Sequence, residues 1–222
     1  MLDPVWQGER FDAARWAGAE ALSDVWRRRL HELRATRVVG TWPVTIGGRR
    51  FNQGFLWTTG AGLVPLRRKF YLPEEPGNWE ARWFERGDSD FTQYDAGPFS
   101  FGLNICTEMW AVETYAAYAA RGVQVILSPR ATAAATTAKW LSIGVVAAVR
   151  SGAFSLSSNR VDPTGACGGV GWIIDPSGRI LARTTDAVPF ATVDVALSAS
   201  AAARDAYPGY VLDGRRNLDG LP

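Results

Sequence analysis

Between residues 99 and 159 the chain alternates short apolar runs with longer helix-like ones. In order they are FSFGLNI (99–105), WAVETYAAYAARG (110–122), VQVILS (123–128), TTAKWLSIGVVAAVRSG (136–152) and AFSLSSN (153–159). Two strands joined through a helix are expected to run parallel, because the crossover brings the chain back to the same end of the sheet. The flanks follow a different grammar. VVGTWPVTI (38–46) and FNQGFLWT (51–58) surround Gly47-Gly48, a hairpin turn, and GLVPLRR (62–68) follows a second glycine turn. GGVGWIID and RILART flank a Pro-Ser-Gly turn at 176–178, and FATVDVAL (190–197) is expected as one more strand. Parallel pairing in the middle and hairpins at both ends predict a mixed sheet covered by helices, hence an α/β fold.

Before these strands, residues 12–35 read as an amphipathic helix with Trp16, Leu22, Trp26, Leu30 and Leu33 on one side. Residues 73–97 are polar and rich in Pro and Gly, a loop long enough to be functional. No internal repeat and no domain-splitting linker is visible.

Composition bounds the partners. With 222 residues, 47% hydrophobic and a formal net charge of +2, neither nucleic acid nor an acidic membrane surface is expected as a partner. The N-terminus lacks the basic and apolar regions of a signal peptide. The best apolar window, VVAAV at 145–149, is far too short for a membrane span. A cytoplasmic protein with reduced thiols is expected. Two cysteines 61 positions apart and a single histidine argue against a zinc site, and no cofactor is expected; one disulfide remains open.

Cys106 stands where an apolar strand gives way to a helix. That position can expose a nucleophile at the end of a sheet and turn the backbone N–H of Thr107 toward an oxyanion. A small buried core cysteine is the plainer alternative. His31, within LHEL of the first helix, reads as a surface residue, so a Cys–His dyad is not expected. Activation would then fall to carboxylate and lysine. Only Lys69 and Lys139 stand among 24 basic residues, so a retained lysine draws attention.

The motifs RRKFYLPEE (67–75), NWEARWFERGD (78–88), FGLNICTEMWAVE (101–113) and GVQVILSPRAT (122–132) occur in this order. LSSNRV, GWIIDPSGRILA and ATVDV follow them. Together they resemble the nitrilase superfamily, the carbon–nitrogen hydrolases, from about residue 36 to 197. The resemblance implies a four-layer α-β-β-α sandwich with mixed sheets. It also implies a catalytic set in which Cys106 is the nucleophile, Lys69 the lysine and Glu80 the glutamate that positions lysine and substrate. Glu74 and Glu75 compete for that last role, but the ARWFERGD context favours Glu80. Glu113 and Glu108 match structural carboxylates, and Cys167 reads as structural. The chemistry implied is hydrolysis of a non-peptide C–N bond through a thioester. Lys69 and the Thr107 N–H hold the oxyanion, and no metal or organic cofactor takes part.

The same resemblance implies a first catalytic glutamate in a Pro-Glu pair upstream of Asn52. No such pair precedes residue 36, and Glu9, Glu20 and Glu32 lack its strand context. The expectation is therefore a domain over 1–197 that lacks the N-terminal strand-helix-strand, with exposed sheet edges and little or no amidase activity, followed by an extended tail over 198–222. Homodimerisation, or a higher homo-oligomer, is implied through a helical face, with the tail reaching toward a partner subunit. A small-molecule amide is the expected substrate. Met109 and Trp110 replace the arginine pair of carbamoyl-amino-acid hydrolases, and Thr107-Glu108 replaces the Trp-Glu of nitrilases proper. Nitrilase or carbamoylase activity, or a non-catalytic binding role, remains the alternative. Trp110 and Trp79 are read as pocket walls or core. Arg130 is read as a partner for an anionic substrate group or as a salt-bridged structural residue.

Overall fold

Gly47 and Gly48 both carry positive φ, 58° and 77°, the backbone that a two-residue hairpin turn demands and that side chains resist. They set the register of β1 (Arg37–Ile46) against β2 (Arg49–Thr58), pairing Ile46 with Arg49 and Arg37 with Thr58. β3 (Gly62–Arg68) adds antiparallel to the other side of β2. Pro43 and Pro65 thus sit on the two edge strands, where a missing N–H is tolerated. A computed structural model describes residues 5–162 and 166–212. The chain forms two compact units, Met1–Asp90 and Phe91–Pro222, and the division falls within the long polar stretch over 73–97.

In the first unit α1 (Ala13–Arg29) starts at Asp12, whose carboxylate accepts the Arg15 N–H at 3.0 Å. The helix lies on β1: Trp16 Nε1 donates to Thr45 Oγ1 at 2.9 Å, and the Thr45 N–H donates to Glu20. Trp42 and Phe55 stack at 3.9 Å beneath Leu30. Trp16, Ala19, Trp83 and Phe84 close a second apolar cluster. Of the side chains expected on the buried side of this helix, Trp16 and Leu30 are buried, whereas Leu33 is exposed because the chain tightens into a 3₁₀ turn over Leu30–Leu33.

The β2–β3 ladder is not uniform. Between Gln53↔Arg68 and Phe55↔Pro65, β3 carries one residue more than β2, a bulge braced by Gln53 Nε2 donating to the Leu66 carbonyl at 2.8 Å. Beyond it Lys69 pairs its N–H with Asn52 O at 2.8 Å. Were β3 to pair straight through at its present length, Lys69 would stand opposite Phe51, on the other face of the sheet. The segment after β3 contains a single short helix, α2 (Glu80–Trp83).

The second unit holds a six-stranded sheet in the order β4 (Tyr94–Asp95), β5 (Ser100–Leu103), β6 (Val125–Leu127), β7 (Phe154–Ser157), β8 (Trp172–Ile174) and β9 (Ile180–Arg183). β5, β6 and β7 are parallel, and the remaining pairings are antiparallel. The crossovers are α3 (Glu113–Ala120) and α4 (Thr137–Ser151), as the alternating runs predict. Gly102 in β5 lies under the Tyr118 ring of α3, where a Cβ would come within 2.5 Å of ring carbon. Tyr115, Tyr118, Ile126, Ile143, Ala147 and Trp172 belong to the buried cluster between helices and sheet. The architecture is mixed α/β.

One expected strand is absent among the described residues: FATVDVAL pairs with nothing, and residues 190–197 run irregularly. The Thr185 N–H bonds to Val188 O, turning the chain after β9, and Pro189 has no donor to offer a ladder. Its alternation supplies a face but no partner, and Phe190 is 85% exposed. Beyond it, α5 (Ser198–Asp205) is tied down by Ser200 Oγ to Gln124 O at 3.0 Å and by Arg204 to Val123 O at 3.1 Å. A last turn, α6 (Gly209–Leu212), follows, and residues 213–222 of the expected tail lie outside the described residues. No described helix is long and apolar enough to cross a membrane.

Candidate active site

In the first unit the bulge and α2 converge on one ion pair. Lys69 Nζ donates to Glu80 Oε2 at 2.6 Å, with side-chain exposures of 0% and 5%. Glu80 opens α2, so its carboxylate sits at the positive end of that short turn. The backbone around Lys69 is pinned on both sides, its N–H to Asn52 O and its carbonyl to the Gly87 N–H at 2.9 Å. Of the three glutamates weighed from the sequence, Glu80 is therefore the one on Lys69. Glu74 is exposed and pairs with Arg82 at 2.6 Å, and Glu75 is exposed as well. Trp79, next to Glu80, is half-buried against Arg82 and the cluster of Trp16 and Trp83.

In the second unit Cys106 follows β5 with φ of 51°, a left-handed backbone that a cysteine adopts only under constraint. The constraint is a set of buried polar bonds. The Cys106 N–H donates to Pro129 O at 3.0 Å, and the Asn104 N–H donates to Leu127 O at 3.0 Å. The side chain of Glu108, wholly buried, accepts the Ile105 N–H at 2.8 Å, while the Glu108 N–H returns to Ile105 O. Asn104 Nδ2 donates to Glu108 O and to Thr114 Oγ1, each at 2.9 Å. Glu108 thus serves as the capping carboxylate of the 3₁₀ turn Cys106–Trp110. Its second residue, Thr107, has a backbone N–H with no acceptor among the described residues. Half-exposed Cys106 thus stands next to a free amide donor, an arrangement suited to nucleophilic attack with oxyanion stabilisation.

Arg130 lies one residue past the carbonyl that holds Cys106. It is 7% exposed and donates from Nε to Ser157 Oγ at 2.7 Å, from Nη1 to Thr132 Oγ1 at 2.7 Å and from Nη2 to Val170 O at 2.8 Å. Its guanidinium lies 4.1 Å from the Trp172 ring centre and 5.4 Å from that of Trp140. Burial lowers its pKa to about 10, and the interaction with nearby Cys106 works against that fall. Trp110, 39% exposed, packs on Trp140 at 5.5 Å, with Lys139 Nζ 5.1 Å from its ring centre. Cys167 is a free thiol in the same unit; burial pushes its pKa up, with Arg160 opposing and Asp162 and Cys106 reinforcing. Asn104, Ser157, Trp140 and Lys139 were not singled out from the sequence as site residues. Only Lys139 carried a signal, as the second of two lysines.

This chain belongs to the carbon–nitrogen hydrolase family, whose model matches residues 9–205. Among curated proteins, it is 33% identical over 66 residues to N-carbamoylputrescine amidase of Solanum lycopersicum, a stretch that is 30% of this chain and 22% of that protein. The enzyme of the same name from Solanum tuberosum matches to the same extent, so the chain spans about a fifth of the length of these relatives. Among solved structures, a carbon–nitrogen hydrolase from Helicobacter pylori superposes with a TM-score of 0.76 at 17% identity, covering 97% of this chain and 80% of that one. An amidase from Nesterenkonia sp. gives 0.64 at 20% identity, covering 77% and 64%. These superpositions share the fold.

Proposed function

We propose that the chain acts as an amidase-type hydrolase of non-peptide carbon–nitrogen bonds, with Cys106 as nucleophile. The observation that carries this reading is the left-handed backbone of Cys106 at the end of β5, beside the free Thr107 N–H, in a chain of this family. The Cys106 sulfur attacks the amide carbonyl carbon, and the Thr107 N–H takes the oxyanion charge, a task in which the family resemblance also gives Lys69 a part. Glu80 keeps Lys69 charged and oriented. The C–N bond then breaks, the departing nitrogen gains a proton, and water cleaves the thioester to acid and free thiol.

The test uses thiol labelling together with amide turnover. Cys106 should alkylate faster than Cys167 near neutral pH, and Lys69→Ala should slow it. Ammonia release from simple primary amides should be measurable and should vanish in Cys106→Ser. Equal, slow labelling of the two thiols together with no ammonia release would favour a binding protein over an enzyme.

A further inference from the structure

Arg130, next to the carbonyl that holds Cys106, and Lys139, over the ring of Trp110, are two cations that the hydrolysis just described does not use. All three hydrogen bonds of Arg130 end on neutral oxygens, and among the described residues no carboxylate pairs with it or with Lys139. A guanidinium has five N–H groups, so two remain unspent. Burying a charge with no counter-ion is costly, and a fold keeps such a group where an anion arrives to meet it. The neutral ligands fix the fork without discharging it, and Trp140 and Trp172 flank its faces. Lys139 carries the pattern outward. It stands in the first turn of α4, which holds no acidic residue, and lies over Trp110, four positions after Cys106. The carbonyl of Pro129 joins the two parts, since it accepts the Cys106 N–H and leads directly into Arg130.

We propose that the amide hydrolysed here carries a carboxylate, read by Arg130 in the interior and by Lys139 at the rim, so that anionic amides are the substrate class. This deepens the amidase reading and rests on it. Lys139 draws the anion in from solvent, and Arg130, held by Ser157, Thr132 and Val170, receives it. A neutral amide of the same length lacks that anchor.

The anion preference can be read without turnover, on the intact chain, by alkylating Cys106 with iodoacetate or with iodoacetamide at low salt and following the labelled peptide by mass spectrometry. The iodoacetate-to-iodoacetamide rate ratio of Cys106 should exceed that of 2-mercaptoethanol by about tenfold, the effect of two nearby cations. Lys139→Ala, an exposed substitution that leaves the core alone, should lower the ratio by about fivefold, and salt near 0.5 M should erode the same share. Arg130→Gln should lower it further. A wild-type ratio equal to that of the small thiol, or one indifferent to both Lys139→Ala and salt, would overturn the proposal. The second arm compares two amides of equal length, one ending in a carboxylate and one in a methyl group. Faster turnover of the acid supports the assignment, and faster turnover of the methyl compound sinks it. If neither turns over while the labelling bias persists, the hydrolase reading falls and the anion site stands.

Discussion

Lys69 and Glu80 are opposite charges held inside the first unit, so removing one leaves the other buried with its charge. Lys69→Ala should cost about 3–5 kcal/mol in denaturant unfolding. Replacing both, as Lys69→Met with Glu80→Leu, should recover most of that loss because two apolar side chains pack where the pair was. Amide turnover should stay absent in the double variant, which separates the chemical role from the structural one. Cys106→Ser should retain the fold and lower turnover by at least about 10³-fold, since a hydroxyl in the same place is a far weaker nucleophile. Much of this was visible in the sequence because the informative residues are rare: two lysines, two cysteines and one histidine leave few candidates. The holders of Arg130 were not visible. Ser157 lies 27 positions away, one of many serines and threonines, and only the parallel pairing of β6 with β7 brings it near.

The turns and close approaches of the elements carry their own tests. Asp175 closes the β8–β9 hairpin, its carboxylate accepting from the Ser177 hydroxyl at 2.6 Å, the Ser177 and Arg179 N–H groups at 3.0 Å each, and Arg179 Nε at 3.1 Å. Burial works to raise this carboxyl, but the bonds from Ser177 and Arg179 outweigh it and hold the pKa below the ordinary carboxylate value. Its contribution is therefore complete above that ordinary value and is lost as pH falls through the depressed one. Asp175→Ala should lower stability by about 1–2 kcal/mol near neutral pH, with the gap from wild type closing in strong acid, as followed by thermal unfolding. Gly102→Ala should cost about 1–3 kcal/mol because the Tyr118 ring has nowhere to go. The hairpins were legible because their turn residues announce them, and the crossover helices because their period differs from that of the strands. FATVDVAL misled for a physical reason: alternation marks which residues would face a core, whereas a strand exists only where another backbone answers its hydrogen bonds.

For the molecule as a whole, the mixed α/β architecture followed from the order of the runs, because crossovers and hairpins leave few topologies. The division into two compact units had no such signature, since residues 73–97 read only as a long polar loop. Self-association, expected from the family resemblance, should appear as a concentration-dependent mass in light scattering, and a single monomeric mass throughout would exclude it.

The bulge opposite Gln53 gives the first unit an odd-and-even arithmetic. Deleting one residue at 66 or 67 would let β3 pair straight through and leave Lys69 opposite Asn52, on the face that meets Glu80. Inserting one residue there, unless the bulge widened to take it, would set Lys69 opposite Phe51 and turn it away from Glu80. Loss of a residue from this strand should therefore be tolerated where gain of one is not, and denaturant unfolding of the two length variants reads the difference.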